Sequence, residues 1–124
     1  MGTATKAIIR LGTPIEQIEH AILHKYGNVE VCQSSTVGMY YLSLKKCNEI
    51  WSMFIDYNTE FHDIPGVYMS SRVSQLSIDV MEYLCQTFGG YLDQNDSDDV
   101  PYYSINNDLY LQDVPYTPMD LFRH

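Results

Sequence analysis

Positive charge is scarce in this chain, and cysteine scarcer still: seven lysines and arginines face sixteen acids, with three cysteines among 124 residues. No stretch approaches the ~20 apolar residues of a membrane-spanning helix, and the opening residues do not read as a charged-then-apolar leader. The expectation is therefore neither membrane insertion nor secretion. Cys32, Cys47 and Cys85 are odd in number and share no CxxC spacing. Neither a disulfide framework nor a zinc site is expected from them, and a reducing cytoplasm is the natural compartment. A Walker loop and a GxGxxG turn are also missing. The Gly89-Gly90 pair follows a predicted helix, whereas phosphate-cradling loops precede one. With a net charge of −9 the chain should repel bare nucleic acid.

What is present suits one ordinary domain. At this length a compact fold buries about two-thirds of the surface its unfolded chain exposes, enough for a core without staples. The apolar content is 45%, typical of a globular protein. Eleven tyrosines stand out. Aromatics suit pleated surfaces, which accounts for most of them, and they also supply contact area at interfaces.

The acids are unevenly placed. From Val73 to Phe122 there are nine (Asp79, Glu82, Asp93, Asp96, Asp98, Asp99, Asp108, Asp113 and Asp120) and no lysine or arginine. The rest of the chain is neutral, with seven acids against seven bases. Such polarity favours a basic partner, or serves solubility alone.

Periodicity predicts the element order β-α-β-β-β-β-α-β. Thr5 to Leu11 alternates as a strand, with Ala7 and Ile9 on one face and Ile8 on the other. Thr13-Pro14-Ile15-Glu16 reads as a helix start, with Thr13 as cap and Glu16 closing a capping box. Ile15, Ile18, Ile22 and Tyr26 then form a buried stripe that ends at Gly27. Strands follow over Asn28–Gln33, Val37–Leu44 and Glu49–Tyr57, with turns at Ser34-Ser35-Thr36 and Lys45-Lys46-Cys47-Asn48. Trp51, Met53, Ile55 and Tyr57 share a face of the last of these, which should be central. Residues 58–65 read as a loop and Gly66–Arg72 as a strand. A second amphipathic helix spans Gln75–Phe88, stopped by Gly89 in a left-handed cap, before a short strand at Tyr91-Leu92. The expected fold is α+β, a two-layer sandwich of two amphipathic helices on a mainly antiparallel sheet; a ferredoxin-like order with an expanded meander fits. Residues 1–99 form the domain. Residues 100–124, rich in proline and tyrosine, read as an extended segment packed on it or free.

No constellation reaches catalysis, and no cofactor or metal is expected. Asp93-Gln94-Asn95-Asp96-Ser97-Asp98-Asp99 begins with the ligand spacing of a calcium loop. An EF-hand, however, needs glycine sixth and glutamate twelfth, where this chain has Asp98 and Ser104. A solvated turn accounts for it. His20 and His24 lie one helical turn apart, opposite the apolar stripe, without a third ligand. His62-Asp63 has no nucleophile to serve, and Cys85 sits beside the apolar face of its helix, where a thiol is inert.

Ile78-Asp79-Val80-Met81-Glu82-Tyr83-Leu84, followed by Phe88-Gly89-Gly90-Tyr91-Leu92 and the acid run to Asp99, resembles the C-terminal part of small acidic proteins encoded by bacteriophages and mobile elements. The resemblance carries no activity. It implies a setting in which such proteins inhibit host defence or nucleic-acid machinery, anti-CRISPR proteins among them, by occupying a basic nucleic-acid groove. On that reading the chain is a non-enzymatic inhibitor of a basic host protein, without direct nucleic-acid or membrane contact. The partner-binding residues would be Asp93, Asn95, Asp96, Asp98 and Asp99, extended by Asp108 and Asp113, with Tyr91, Tyr102 and Tyr103 as aromatic anchors. Two rivals stand beside it. One is a module that binds a small ligand such as a nucleotide between Lys45, Lys46 or Arg72. The other is an interaction protein whose tail, Val100 to His124, docks on a partner or on a second copy of the chain.

Overall fold

Alternation along the first strand assigns the two faces of a single sheet. In β1 (Ala4–Ile9) Ala7 and Ile9 enter the main core, while Ile8 enters a smaller cluster on the opposite face. The computed structural model describes residues 4–58, 65–94 and 103–111. Around β1 the chain runs α1 (Ile15–Tyr26), β2 (Glu30–Gln33), β3 (Met39–Lys46), β4 (Glu49–Asp56), β5 (Val67–Arg72), α2 (Gln75–Phe88), β6 (Gly90–Asp93), β7 (Tyr103–Ile105) and α3 (Asn107–Tyr110).

The strands form one seven-stranded sheet in the order β2-β3-β4-β5-β1-β6-β7, antiparallel at every pairing. Two β-α-β crossovers interleave. The first leads from β1 through α1 to β2; the second leads from β5 through α2 to β6, with β1 between its two strands. This is the ferredoxin-like order with β3 and β4 added to the meander and β7 added at the opposite edge, and the α+β sandwich expected from periodicity. α1 contributes Ile18 and Ile22 to the core, and α2 contributes Val80, Met81 and Leu84. They cover the sheet face carrying Ala7, Ile9, Leu42, Met53, Ile55, Met69 and Leu92. Each such side chain contributes about 1.5–3 kcal/mol through the apolar area it hides. Among the described residues no helix is long and apolar enough to cross a membrane.

Several local expectations are corrected. β1 stops at Ile9 and not at Leu11, because the chain turns there: Thr13 N and Thr13 Oγ1 both donate to the Arg10 carbonyl, at 3.3 and 2.7 Å. That bond removes Thr13 from capping. The cap position of α1 is Pro14, with no side-chain capping bond, so the capping box does not form. β3 extends to Lys46, and the hairpin to β4 is a two-residue turn of Cys47 and Asn48, both at positive φ (55° and 66°), as type I′ geometry requires. Gly89 ends α2 with φ 81° and ψ 137°, which is not the left-handed cap conformation.

The glycine pair is required by space. A Cβ at Gly90 would lie 2.1 Å from the Ile8 carbonyl oxygen, and one at Gly89 would lie 2.5 Å from the Tyr110 nitrogen. The second contact exists because residues 103–111, expected to be extended, add β7 to the sheet and close α3 against β6. Tyr110 is fully buried there with Ile8 and Tyr91 as a second small core, its ring edge-on to Tyr91 at 5.1 Å. Its hydroxyl donates to the Pro65 carbonyl.

Candidate ligand-binding cleft

The register between β4 and β5 creates the site. β4 pairs with β5 only over Phe54–Asp56, whereas it pairs with β3 along its whole length down to Glu49. The tip of the β3–β4 hairpin therefore projects past the end of β5, where the chain turns through Val73 and Ser74 into α2. Between that overhang and the first turns of α2 lies a cleft of about 800 Å³. Lys46, Glu49 and Trp51 line it from the hairpin, Arg72 from the end of β5, and Gln75 and Asp79 from α2.

Serine hydroxyls fasten the overhang to the helix and close the floor. Ser77, fully buried in the first turn of α2, accepts from the Trp51 indole Nε1 at 2.8 Å and donates to the Arg72 carbonyl at 2.6 Å. With its proton committed to a carbonyl, it is the acceptor from Ser74 Oγ at 2.9 Å. Ser74 in turn accepts from Ser77 N at 3.1 Å and caps α2. Ser71, adjoining Ser77 at 3.1 Å, donates to the Ser52 carbonyl at 2.8 Å. The network fixes the half-buried Trp51 by its only polar atom, so what the indole offers the cleft is carbon surface.

The charges around the opening are mixed. Asp79 Oδ1 accepts from Gln75 Nε2 at 2.9 Å. The side chains of Lys46, Glu49 and Arg72 have no hydrogen-bond or ion-pair partner among the described residues. Lys25, by contrast, lies 4.4 Å from the centre of the Tyr83 ring. Lys45 does not line the cleft; by register it shares a sheet face with Arg72, which lies at the end of β5 and borders the opening. Of the three cations named from sequence as possible pocket walls, the fold brings together Lys46 and Arg72.

The other expected site residues are distributed differently. Tyr91 and Asp93, expected at a partner surface, are interior, with exposures of 1% and 5%. Tyr91 donates to Asn107 Oδ1 at 2.9 Å. Asp93 is the last residue of β6, opposite Lys6 in the β1 register, and so belongs to a strand and not to the acid loop. Tyr103 begins β7, and Asp108 is exposed on α3. Asn95, Asp96, Asp98, Asp99, Tyr102 and Asp113 lie outside the described residues, as do His62 and Asp63.

Two smaller hollows lie elsewhere among the described residues. A groove of about 530 Å³ between the helices is lined by His20, His24, Tyr83 and Phe88, and one of about 240 Å³ by Lys25, Tyr26 and Glu82. No group of three metal-ligating side chains occurs among the described residues. Cys85 is fully buried and its thiol is pushed up to about 12, first by burial and then by the Glu82 carboxylate. It is a packing residue, protonated at neutral pH. Sequence reasoning passed over Trp51, read only as one member of a strand face, and the serines, whose spacing signals nothing until α2 docks on β4. No family model, no curated protein and no solved structure matches the chain.

Proposed function

We propose that this protein is a non-enzymatic binding module that holds a small anionic ligand in the cleft beneath the β3–β4 hairpin. The observation that carries the reading is the pairing of Lys46 and Arg72 around one opening, neither engaged by any described residue, above an indole locked in place from behind. Ligand sites combine apolar surface with a few fixed polar groups in a cavity of roughly 300–1,000 Å³. The cleft has that make-up. Binding without turnover is supported by the state of its hydroxyls and thiol. Ser77 is buried with its proton committed, and among the described residues that line the cleft no histidine stands beside Cys47. The exposed, unpaired thiols of Cys32 and Cys47 suit a cytoplasmic protein.

The test is a thermal-shift panel of phosphates, carboxylates and nucleotides on wild type and a Lys46→Ala/Arg72→Ala double variant. Stabilisation of wild type by an anion, lost in the double variant, is the expected result. A flat response across the panel would sink the proposal.

The charge asymmetry favours a second reading. All the excess acid lies between Val73 and Phe122, as suits a phage-encoded, anti-defence inhibitor that occupies a basic nucleic-acid-binding surface of a host protein. Exposed Asp108 is its described surface member. Affinity capture from host lysate, comparing wild type with an Asp96/Asp98/Asp99→Asn variant at low and high salt, tests it. A basic partner lost on neutralisation or in salt supports competition; equal capture by both proteins counts against it.

A further inference from the structure

The cleft's charge balance, together with its indole, narrows the ligand class. Resting on the binding reading above, we infer that the ligand is a nucleoside monophosphate. Among the described residues that line the opening, two cations without described partners, Lys46 and Arg72, are matched by two carboxylates, Glu49 and Asp79. A phosphate monoester carries a charge of roughly −1.5 to −2 at neutral pH, which two cations neutralise. Each further phosphate would bring negative charge toward Glu49, which sits opposite Lys46 across the hairpin, and toward Asp79 on the facing helix. The carboxylates thus select against di- and triphosphates while having a use of their own. Glu49 is unengaged, and Asp79 has only its Oδ1 occupied, by Gln75. Both can accept hydrogen bonds from ribose hydroxyls or an exocyclic amine.

Trp51 supplies the remaining element. Its Nε1 is bound by Ser77, so it cannot donate to a ligand. It offers a fixed aromatic face, which suits a base and gives nothing to a bare inorganic anion. Loss of one stacking aromatic weakens base binding by roughly ten- to a hundredfold.

Trp51 is the single tryptophan of the chain, so emission excited selectively from tryptophan, away from the eleven tyrosines, reports on this cleft. The experiment titrates the full chain with the four 5′-ribonucleoside monophosphates, ATP, adenosine and inorganic phosphate, with calorimetry as the second readout. At least one monophosphate should shift Trp51 emission saturably and bind about tenfold or more tightly than ATP, adenosine and phosphate. Lys46→Ala and Arg72→Ala should each weaken it by about tenfold or more, and Glu49→Gln should narrow the gap to ATP. Lys45→Ala, outside the cleft lining, should change nothing. If ATP or inorganic phosphate binds as tightly as every monophosphate, the nucleotide inference is overturned and the anion-binding cleft stands. If no anion in this titration or in the thermal-shift panel registers, both readings fall.

Discussion

Trp51 Nε1 and Ser77 Oγ meet at 2.8 Å, joining the projecting end of a hairpin to the first turn of a helix 26 residues later in the chain. The bond decides whether the cleft has a rigid wall. Ser77→Ala would leave the indole N–H and the Arg72 carbonyl without their partner in a closed floor. A loss of about 1–3 kcal/mol is expected, with a red-shifted Trp51 emission as the indole is released. Ser74→Ala removes only the helix cap and its bond to Ser77, and should cost about 1 kcal/mol. Chemical denaturation of the two variants side by side checks the order.

The hairpin turn is improvable. Cys47 and Asn48 both hold positive φ, and for a residue with a Cβ that conformation costs roughly 1–2 kcal/mol over glycine. Cys47→Gly should therefore stabilise the protein by about 0.5–1 kcal/mol, since part of the gain is returned to the freer unfolded chain. Urea unfolding reads the sign, and a destabilised variant would mean that Cys47 makes a contact worth more than its strain.

Glycine substitutions should split sharply by surroundings. Gly90→Ala places a Cβ against the Ile8 carbonyl, backbone that cannot swing aside, and is expected to cost about 3 kcal/mol or more. Gly27→Ala meets nothing within 4 Å and pays only for its positive φ of 82°, about 1 kcal/mol. Thermal melts of the pair provide the comparison.

Cys85 gives a prediction in pH. Its thiol is raised by burial to about 12 in the folded chain from 9.0. Between those values the folded state holds a proton that the unfolded state has lost, so the stabilisation is complete below about pH 9 and declines as pH rises toward 12. The slope is at most about 1.4 kcal/mol per pH unit from this group. Urea midpoints from pH 8 to 11 should fall, and less steeply in Cys85→Ala. Thiol labelling at pH 8 should modify Cys32 and Cys47 quickly and Cys85 only on unfolding.

Both long helices, Ile15–Tyr26 and Gln75–Phe88, were legible from the 3.6-residue period, with the start of the first displaced by one residue from the expected Thr13 cap. Their apolar stripes are continuous and each is closed by glycine. The faces of β4 were legible for the same reason, at period two. Sequence pattern placed the β3–β4 turn at Lys45–Asn48, two residues too wide, because Cys47-Asn48 lacks the glycine that usually marks type I′ geometry. It did not place α3, whose single turn is held by Tyr110 packing and not by helical periodicity. The cleft was half legible. Lys46 and Arg72 are conspicuous as cations in an acidic chain, but that they meet, and that Trp51 lies between them and the core, follows from a register offset that no local pattern encodes. Tyr91, read as a strand residue with an outward anchor role, is interior because β7 pairs beside it and Tyr110 packs on its ring, and Asp93, assigned to the acid loop, is instead the last residue of β6.

The central position of β1 has a consequence for synthesis. On the ribosome Ile8 and Ile9 are made well before their partners in β5 and β6, Tyr68, Val67, Tyr91 and Gly90. Until then the nascent chain holds an apolar strand with both edges unpaired, a state prone to chaperone capture and to mispairing. Contacts so far apart in sequence also slow the search for the native arrangement. The slot is filled only when the second crossover closes, so the domain should fold late and cooperatively, with its first strand waiting for nearly all of its neighbours to be translated.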